Sequence, residues 1–210
     1  MVKYLYKHRR LFLVCLATFA FMLTVYLNFS AWAQTEGVKS YLDPIPAKQQ
    51  VNLKEGQVIV TGSEGQYTGR LLVEAPLITA WAVLTDYDNF ARFLPHISKS
   101  QLLESNGNRK VFEQVNIAKV FLFTKKARVR IEATETYPQQ IAFRVIEGDV
   151  KSLQGVWQFE ALSNQVLIDH QVSVDPGSEN RNLFFKIYKN NLEDTLEALI
   201  KEIKRRSLTR

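Results

Sequence analysis

The chain has little of the chemistry that usually betrays an enzyme. Its 210 residues hold one cysteine, Cys15, and three histidines. Cys15 sits inside an apolar N-terminal run, so everything beyond that run lacks a disulfide, a thiolate nucleophile and a cysteine metal site. No small residue stands just before Cys15, which speaks against a lipidated cysteine. Beyond the run only His96 and His170 remain, far apart, and there is no His-Glu-x-x-His pattern. No metal site is expected on these grounds. A Gly-x-Ser-x-Gly elbow, a P-loop and a dinucleotide Gly-x-Gly-x-x-Gly are also missing, so neither an acyl-transfer motif nor a cofactor is expected. There is no internal repeat and no low-complexity segment.

Acidic residues are missing from the first 33 positions. Lys3, Lys7, Arg9 and Arg10 open the chain, Leu11 to Phe29 is almost entirely apolar, and Ala31-Trp32-Ala33 has a small-x-small pattern. This reads as a secretory signal peptide cleaved after Ala33. The run is also long enough to be an uncleaved anchor over residues 11–29. Either way the body is expected to be exported, to a periplasm or comparable lumen, with the basic end inside. Four of the 27 Lys and Arg fall in this segment and none of the 21 acids do. The remaining 177 residues carry 23 against 21, a net of +2, too balanced to argue for nucleic acid.

Residues 34–56 are polar, carry Pro44 and Pro46 and show no period, so a linker or loose arm is expected. Residues 57–207 then form one domain. Strand patterns recur at Gln57–Thr61, Gln66–Ala75, Ile97–Glu104, Arg109–Ile117, Val120–Thr134, Ile141–Glu147, Val150–Leu162 and Gln165–Val174, with turn residues between them. A helix from Arg181 to Arg206 follows, with Phe184, Ile187, Tyr188, Asn191, Leu192, Leu199 and Ile203 at three- and four-residue steps. Strands followed by one long helix predict an α+β fold. A curled antiparallel sheet of about seven strands around that helix is the economical solution.

Glu74 to Ser100 is the richest stretch. Pro76 suits a helix start. Ile78, Trp81, Ala82 and Leu84 share one helical face, and Phe90, Phe93 and Leu94 form a second stripe. Asp86 and Asp88 between them read as helix caps rather than a catalytic carboxylate pair. Two short helices directly after the first main strand fit a lid or cradle.

Two motifs carry a family resemblance. One is Ala75-Pro76…Ala80-Trp81-Ala82-Val83-Leu84-Thr85-Asp86-Tyr87…Phe93-Leu94-Pro95. The other is Glu147-Gly148-Asp149…Leu153-Gln154-Gly155-Val156-Trp157-Gln158-Phe159. From Gln66 to Ile203 the chain resembles the START-like helix-grip (SRPBCC) superfamily, in its cyclase/dehydrase and coenzyme-Q-binding branch. The resemblance implies a deep apolar cavity between sheet and long helix.

Strand alternation supplies candidate lining independently. Phe121, Phe123, Ala127, Val129 and Ile131 share one face; Lys126, Arg128 and Arg130 share the solvent face. Phe143, Val145, Trp157, Phe159 and His170 fall at inward positions, with Trp81, Phe90, Phe93, Leu94, Phe184 and Tyr188 from the helices. A filled core competes with a pocket for all of these. Small residues such as Ala127 and Gly155 among the large ones favour the pocket. His170 could bond a ligand carbonyl or act as an acid or base. It could equally be a core histidine bonded to backbone or to Tyr188. His96 is placed at the rim, in a surface loop. Lys201, Lys204, Arg205, Arg206 and Arg210 complement the helix dipole or meet anionic lipid headgroups.

The expected function is a binding module for a hydrophobic small molecule (lipid, isoprenoid or quinone-like), with contact to a membrane surface. The alternatives are a cyclase/dehydratase-type enzyme on a polyketide-like or aromatic substrate, and an interaction module with a filled cavity.

Overall fold

A computed structural model describes residues 45–120, 123–177 and 180–209. The expected targeting segment, the arm up to residue 44, Phe121 and Arg210 lie outside the described residues, as does the side chain of Phe123. The element order is α1 (Ala47–Lys54), β1 (Ile59–Ser63), β2 (Gln66–Glu74), α2 (Leu77–Leu84), α3 (Phe90–Phe93), β3 (Ile97–Asn106), β4 (Arg109–Val120), β5 (Phe123–Thr136), β6 (Gln140–Gly148), β7 (Ser152–Leu162), β8 (Gln165–Asp175) and α4 (Arg181–Leu208).

The strands make one curled antiparallel sheet of eight, in the order β1-β2-β8-β7-β6-β5-β4-β3. The architecture is α+β, the helix-grip arrangement. The sheet has eight strands where the sequence predicts about seven, and β1 corresponds to the short strand read at Gln57–Thr61. It pairs with β2 along its whole length, from Ile59↔Arg70 to Ser63↔Gln66. Glu64 and Gly65 close that hairpin with φ of 53° and 89°, the left-handed pair that a tight two-residue turn requires. β2, the first main strand, lies beside β8, the last, from Gln66↔Ser173 to Glu74↔Gln165. Register shifts at Ile97/Lys99, Leu102/Glu104 and Arg130/Ile131 interrupt the ladders. Such bulges add local bend and twist, which helps a sheet curl.

Alternation sorts the two faces as the sequence predicts. On β5, Val129, Ile131 and Ala133 are buried, while Lys126 and Arg128 are exposed. On β8 the inward set Val166, Ile168, His170, Val172 and Val174 is buried. α4 closes over β2 by placing Leu196 where Gly69 has no side chain. A Cβ at Gly69 would lie 2.8 Å from Leu196 Cδ1.

Two local readings are corrected. The C-terminal part of the presumed arm is helical: α1 buries Leu53 in a small apolar cluster with Ile45, Ile59, Leu72 and Leu167. Leu72 and Leu167 point away from the inward set, so α1 covers the back of the sheet. On α2 the buried residues are Thr79, Ala80, Trp81, Val83 and Leu84, and Ile78 is 45% exposed. The helix is rotated so that Thr79, not Ile78, meets the core.

Candidate functional site

The inner wall of the sheet is built around His170. Its Cα pairs with Trp157 across β7/β8 and with Gly69 across β2/β8. His170 is 3% exposed. It stacks on Trp157 at 3.7 Å between ring centroids and on Phe143 at 5.7 Å. Nδ1 lies 3.3 Å from the carbonyl oxygen of Val156. Burial pushes its pKa down to about 3, against a smaller upward pull from that carbonyl. The ring is therefore neutral at ordinary pH.

Gly155 makes this packing possible, in a way its sequence position does not reveal. A Cβ there would lie 2.7 Å from the Phe143 ring and 2.3 Å from the Gln171 carbonyl oxygen. The room left by the missing side chain is taken by Phe143, not by a void.

α4 supplies the facing wall. Tyr188 stacks on Tyr67 at 5.5 Å and on Phe184 at 5.9 Å. The Tyr67 hydroxyl donates to the Phe185 carbonyl at 3.2 Å. Burial pushes the Tyr188 phenol above its ordinary pKa, and the nearby Tyr67 adds to the shift. Around this pair the burial is uneven. Leu71 and Ile168 are sealed, while Phe143, Val145, Trp157, Phe184 and Tyr188 are only half-buried.

The remaining candidates gather at the other end, under α2 and α3. Trp81 is buried against Phe159 and Tyr137, both at 5.2 Å. Phe90 is buried with Tyr87, Phe112 and Phe93. Leu94 is buried as well, and Phe93 is half-buried. Val129, from β5, belongs to the same continuous core. The structure thus divides the predicted lining into an aromatic wall around His170 and a packed layer beneath α2 and α3.

Asp86 and Asp88 are not helix caps; Asn89 precedes α3 and makes no side-chain cap. Asp86 takes Arg206 of α4 at 2.7 Å and the Asn89 amide at 2.7 Å. Asp88 accepts the Leu102 backbone N–H of β3 at 2.7 Å. Both carboxylates fasten the turn to neighbouring elements. Arg206 also bonds Glu202 at 2.7 Å and lies over the Phe93 ring at 5.4 Å. Arg205 and Arg206 hold the Glu202 carboxyl down at about 2. His96, between α3 and β3, joins Asp194 of α4 at 2.7 Å.

The basic groups are correspondingly less free than composition implies. Arg205 and Arg206 are committed to carboxylates, while Lys201 and Lys204 are exposed. On the outer sheet face Arg128 and Arg130 interleave with Glu113 and Glu147 as a cross-strand ladder. Among the described residues, a surface cleft of about 410 Å³ lies between Phe93, Pro95 and α4. A larger one, about 610 Å³, is lined mainly by outward residues such as Gln66, Thr68, Arg144, Gln154 and Gln171. Among the described residues no cluster of three His, Cys, Asp or Glu could hold a metal, and no helix is long and apolar enough to cross a membrane.

Sequence reasoning passed over Tyr67 and Gln114. Tyr67 alternates with Gly69, Leu71 and Val73 on β2, and Gln114 follows Phe112 by two on β4, so both inward positions were readable. Gln114 is 8% exposed.

Comparison with known proteins decides the family. The family model described as "Polyketide cyclase / dehydrase and lipid transport" matches residues 73–200, well over half the chain. The chain belongs to this family. Curated proteins give no match. Solved structures share its fold at low identity. A protein from Thermus thermophilus, TTHA0849, aligns with a TM-score of 0.62 at 18% identity, over 68% of this chain and 99% of its own. The Zhui aromatase/cyclase from Streptomyces sp. R1128 gives 0.57 at 21%, over 67% and 94%. A STAR-related lipid transfer protein from Xanthomonas axonopodis gives 0.56 at 20%, over 70% and 92%. The family's fold is a START-like ligand-binding one, and the matched span runs from the end of β2 into α4, taking in Phe143, Trp157, His170, Phe184 and Tyr188 but not Tyr67.

Proposed function

We propose that this protein is an exported binding module that holds a hydrophobic ligand, a lipid, isoprenoid or quinone-like molecule, between the inner sheet face and α4. One observation carries the reading. Around His170 the large aromatics Phe143, Trp157, Phe184 and Tyr188 stay half-buried while their aliphatic neighbours are sealed. An apolar tail laid against them leaves water at about 25 cal/mol per Å². Export rests on the basic and apolar pattern of residues 1–33, with the body soluble after cleavage or tethered by residues 11–29. Exposed Lys201 and Lys204 would face an anionic bilayer.

A cyclase or dehydratase role is the weaker reading. The family description covers such enzymes, but His170 at about 3 is a poor general base near neutral pH. The test is direct. Organic extracts of the purified protein should contain a lipid by mass spectrometry, and adding lipid should change Trp157 fluorescence. Empty extracts together with unchanged fluorescence would sink the proposal.

A further inference from the structure

We infer that the ligand presents a hydrogen-bond donor, an alcohol, phenol or hydroquinone O–H, to His170, and that the site selects against the matching ketone, quinone or ether. This rests on the carrier reading above and names the end of the ligand that the carrier recognises.

The tautomer decides the chemistry. A backbone carbonyl can only accept, so the contact between Nδ1 and the Val156 oxygen at 3.3 Å puts the ring proton on Nδ1. A neutral imidazole has one N–H. Nε2 is then a bare acceptor. The ring is kept neutral because it is buried between Trp157 and Phe143 with a carbonyl as its hydrogen-bond partner.

Nε2 itself has no hydrogen-bond partner among the described residues, although the residue is 3% exposed. A buried acceptor with no partner among the described residues, beside the half-buried aromatics Phe143 and Trp157, is a recognition element for a donor. Ketone, quinone and ether oxygens carry lone pairs only and face Nε2 as like against like. A hydroxyl supplies the proton. On the α4 wall the Tyr188 hydroxyl also lacks a partner among the described residues. It can donate as well as accept, so it tolerates any of these oxygens and leaves discrimination to His170.

The experiment uses matched probes. The protein, loaded with Nile red, is titrated with 1-dodecanol and with dodecyl methyl ether, in wild type and in His170→Phe, which keeps a stacked ring. The expected result is displacement by the alcohol at about tenfold lower concentration than by the ether in wild type. The two should be equal in His170→Phe. Should that variant fail to fold, ¹⁵N spectra of wild type give the same answer, since dodecanol should shift the Nε2 resonance and the ether should not. Equal potency in wild type, or an unmoved Nε2 resonance with dodecanol bound, overturns the inference and leaves the carrier reading standing. Failure of Nile red and both probes to bind overturns the carrier reading and this inference with it.

Discussion

Arg206 reaches back 120 residues to Asp86, and their 2.7 Å ion pair ties the end of α4 to the turn between α2 and α3. Both side chains are about one-quarter exposed, at 25% and 24%. Arg206 simultaneously bonds Glu202 and covers the Phe93 ring. The tie therefore governs how firmly the α3 segment is held down. A double-mutant cycle of Arg206→Leu and Asp86→Asn, read by chemical denaturation, should give a coupling of about 1 kcal/mol. Either single variant should speed amide exchange at Phe90–Leu94 severalfold. Unchanged exchange there would show that the segment is held by packing alone.

The burial of His170 makes the fold sensitive to mild acid. Its folded pKa of about 3 lies below the value of about 6.5 expected in the unfolded chain. Unfolding thus takes up a proton, and the stability present above pH 6.5 is lost as pH falls toward 3. The slope approaches about 1.4 kcal/mol per pH unit. Urea denaturation between about pH 7 and 4.5 should show this decline in wild type, and His170→Phe should flatten it. An identical slope in the variant would place the sensitivity elsewhere.

Gly155 and Gly69 both stand where a Cβ would collide, but with different neighbours. At Gly69 the obstacle is the tip of Leu196, which can swing aside. At Gly155 it is a backbone oxygen at 2.3 Å together with the Phe143 ring. Gly155→Ala should cost about 3 kcal/mol and Gly69→Ala about 1 kcal/mol, measured as unfolding free energies. The reverse order would contradict the packing described.

Leu53 tests whether α1 belongs to the folded body. It is 1% exposed, while Val51 on the same helix is 53% exposed. Leu53→Ala should lower stability by about 2–4 kcal/mol, and Val51→Ala should change it by less than about 0.5 kcal/mol. A silent Leu53→Ala would return the helix to the status of a loose arm.

Period-two alternation is why the strands were legible nearly to their ends, and helical spacing did the same for the two short helices and α4. Local pattern carries that information. It does not carry partners. Asp86 reads as a cap because caps are local, whereas its true partner is 120 residues away. α1 escaped because its polar sequence buries little beyond Leu53, against a surface formed by distant Leu72 and Leu167. Gly155 is a different failure. A small residue on an inward face is compatible with room for a ligand and with room for Phe143, and only the packed ring separates the two. His170 was found as an inward polar group, but its bond to Val156 depends on pairing between β7 and β8. That register decides which nitrogen is left to recognise anything.

The pairing of β2 with β8 fixes an order of events for the chain. Gln66 meets Ser173 only after 107 residues have been made, and the intervening strands form a meander that can assemble from neighbour to neighbour. β2 has β1 alone for company until then. Closing so long a loop is entropically costly and slow. Half-synthesised protein is therefore left with an unpaired edge on β2 and an uncovered inner face, and is at its most aggregation-prone until α4 has emerged.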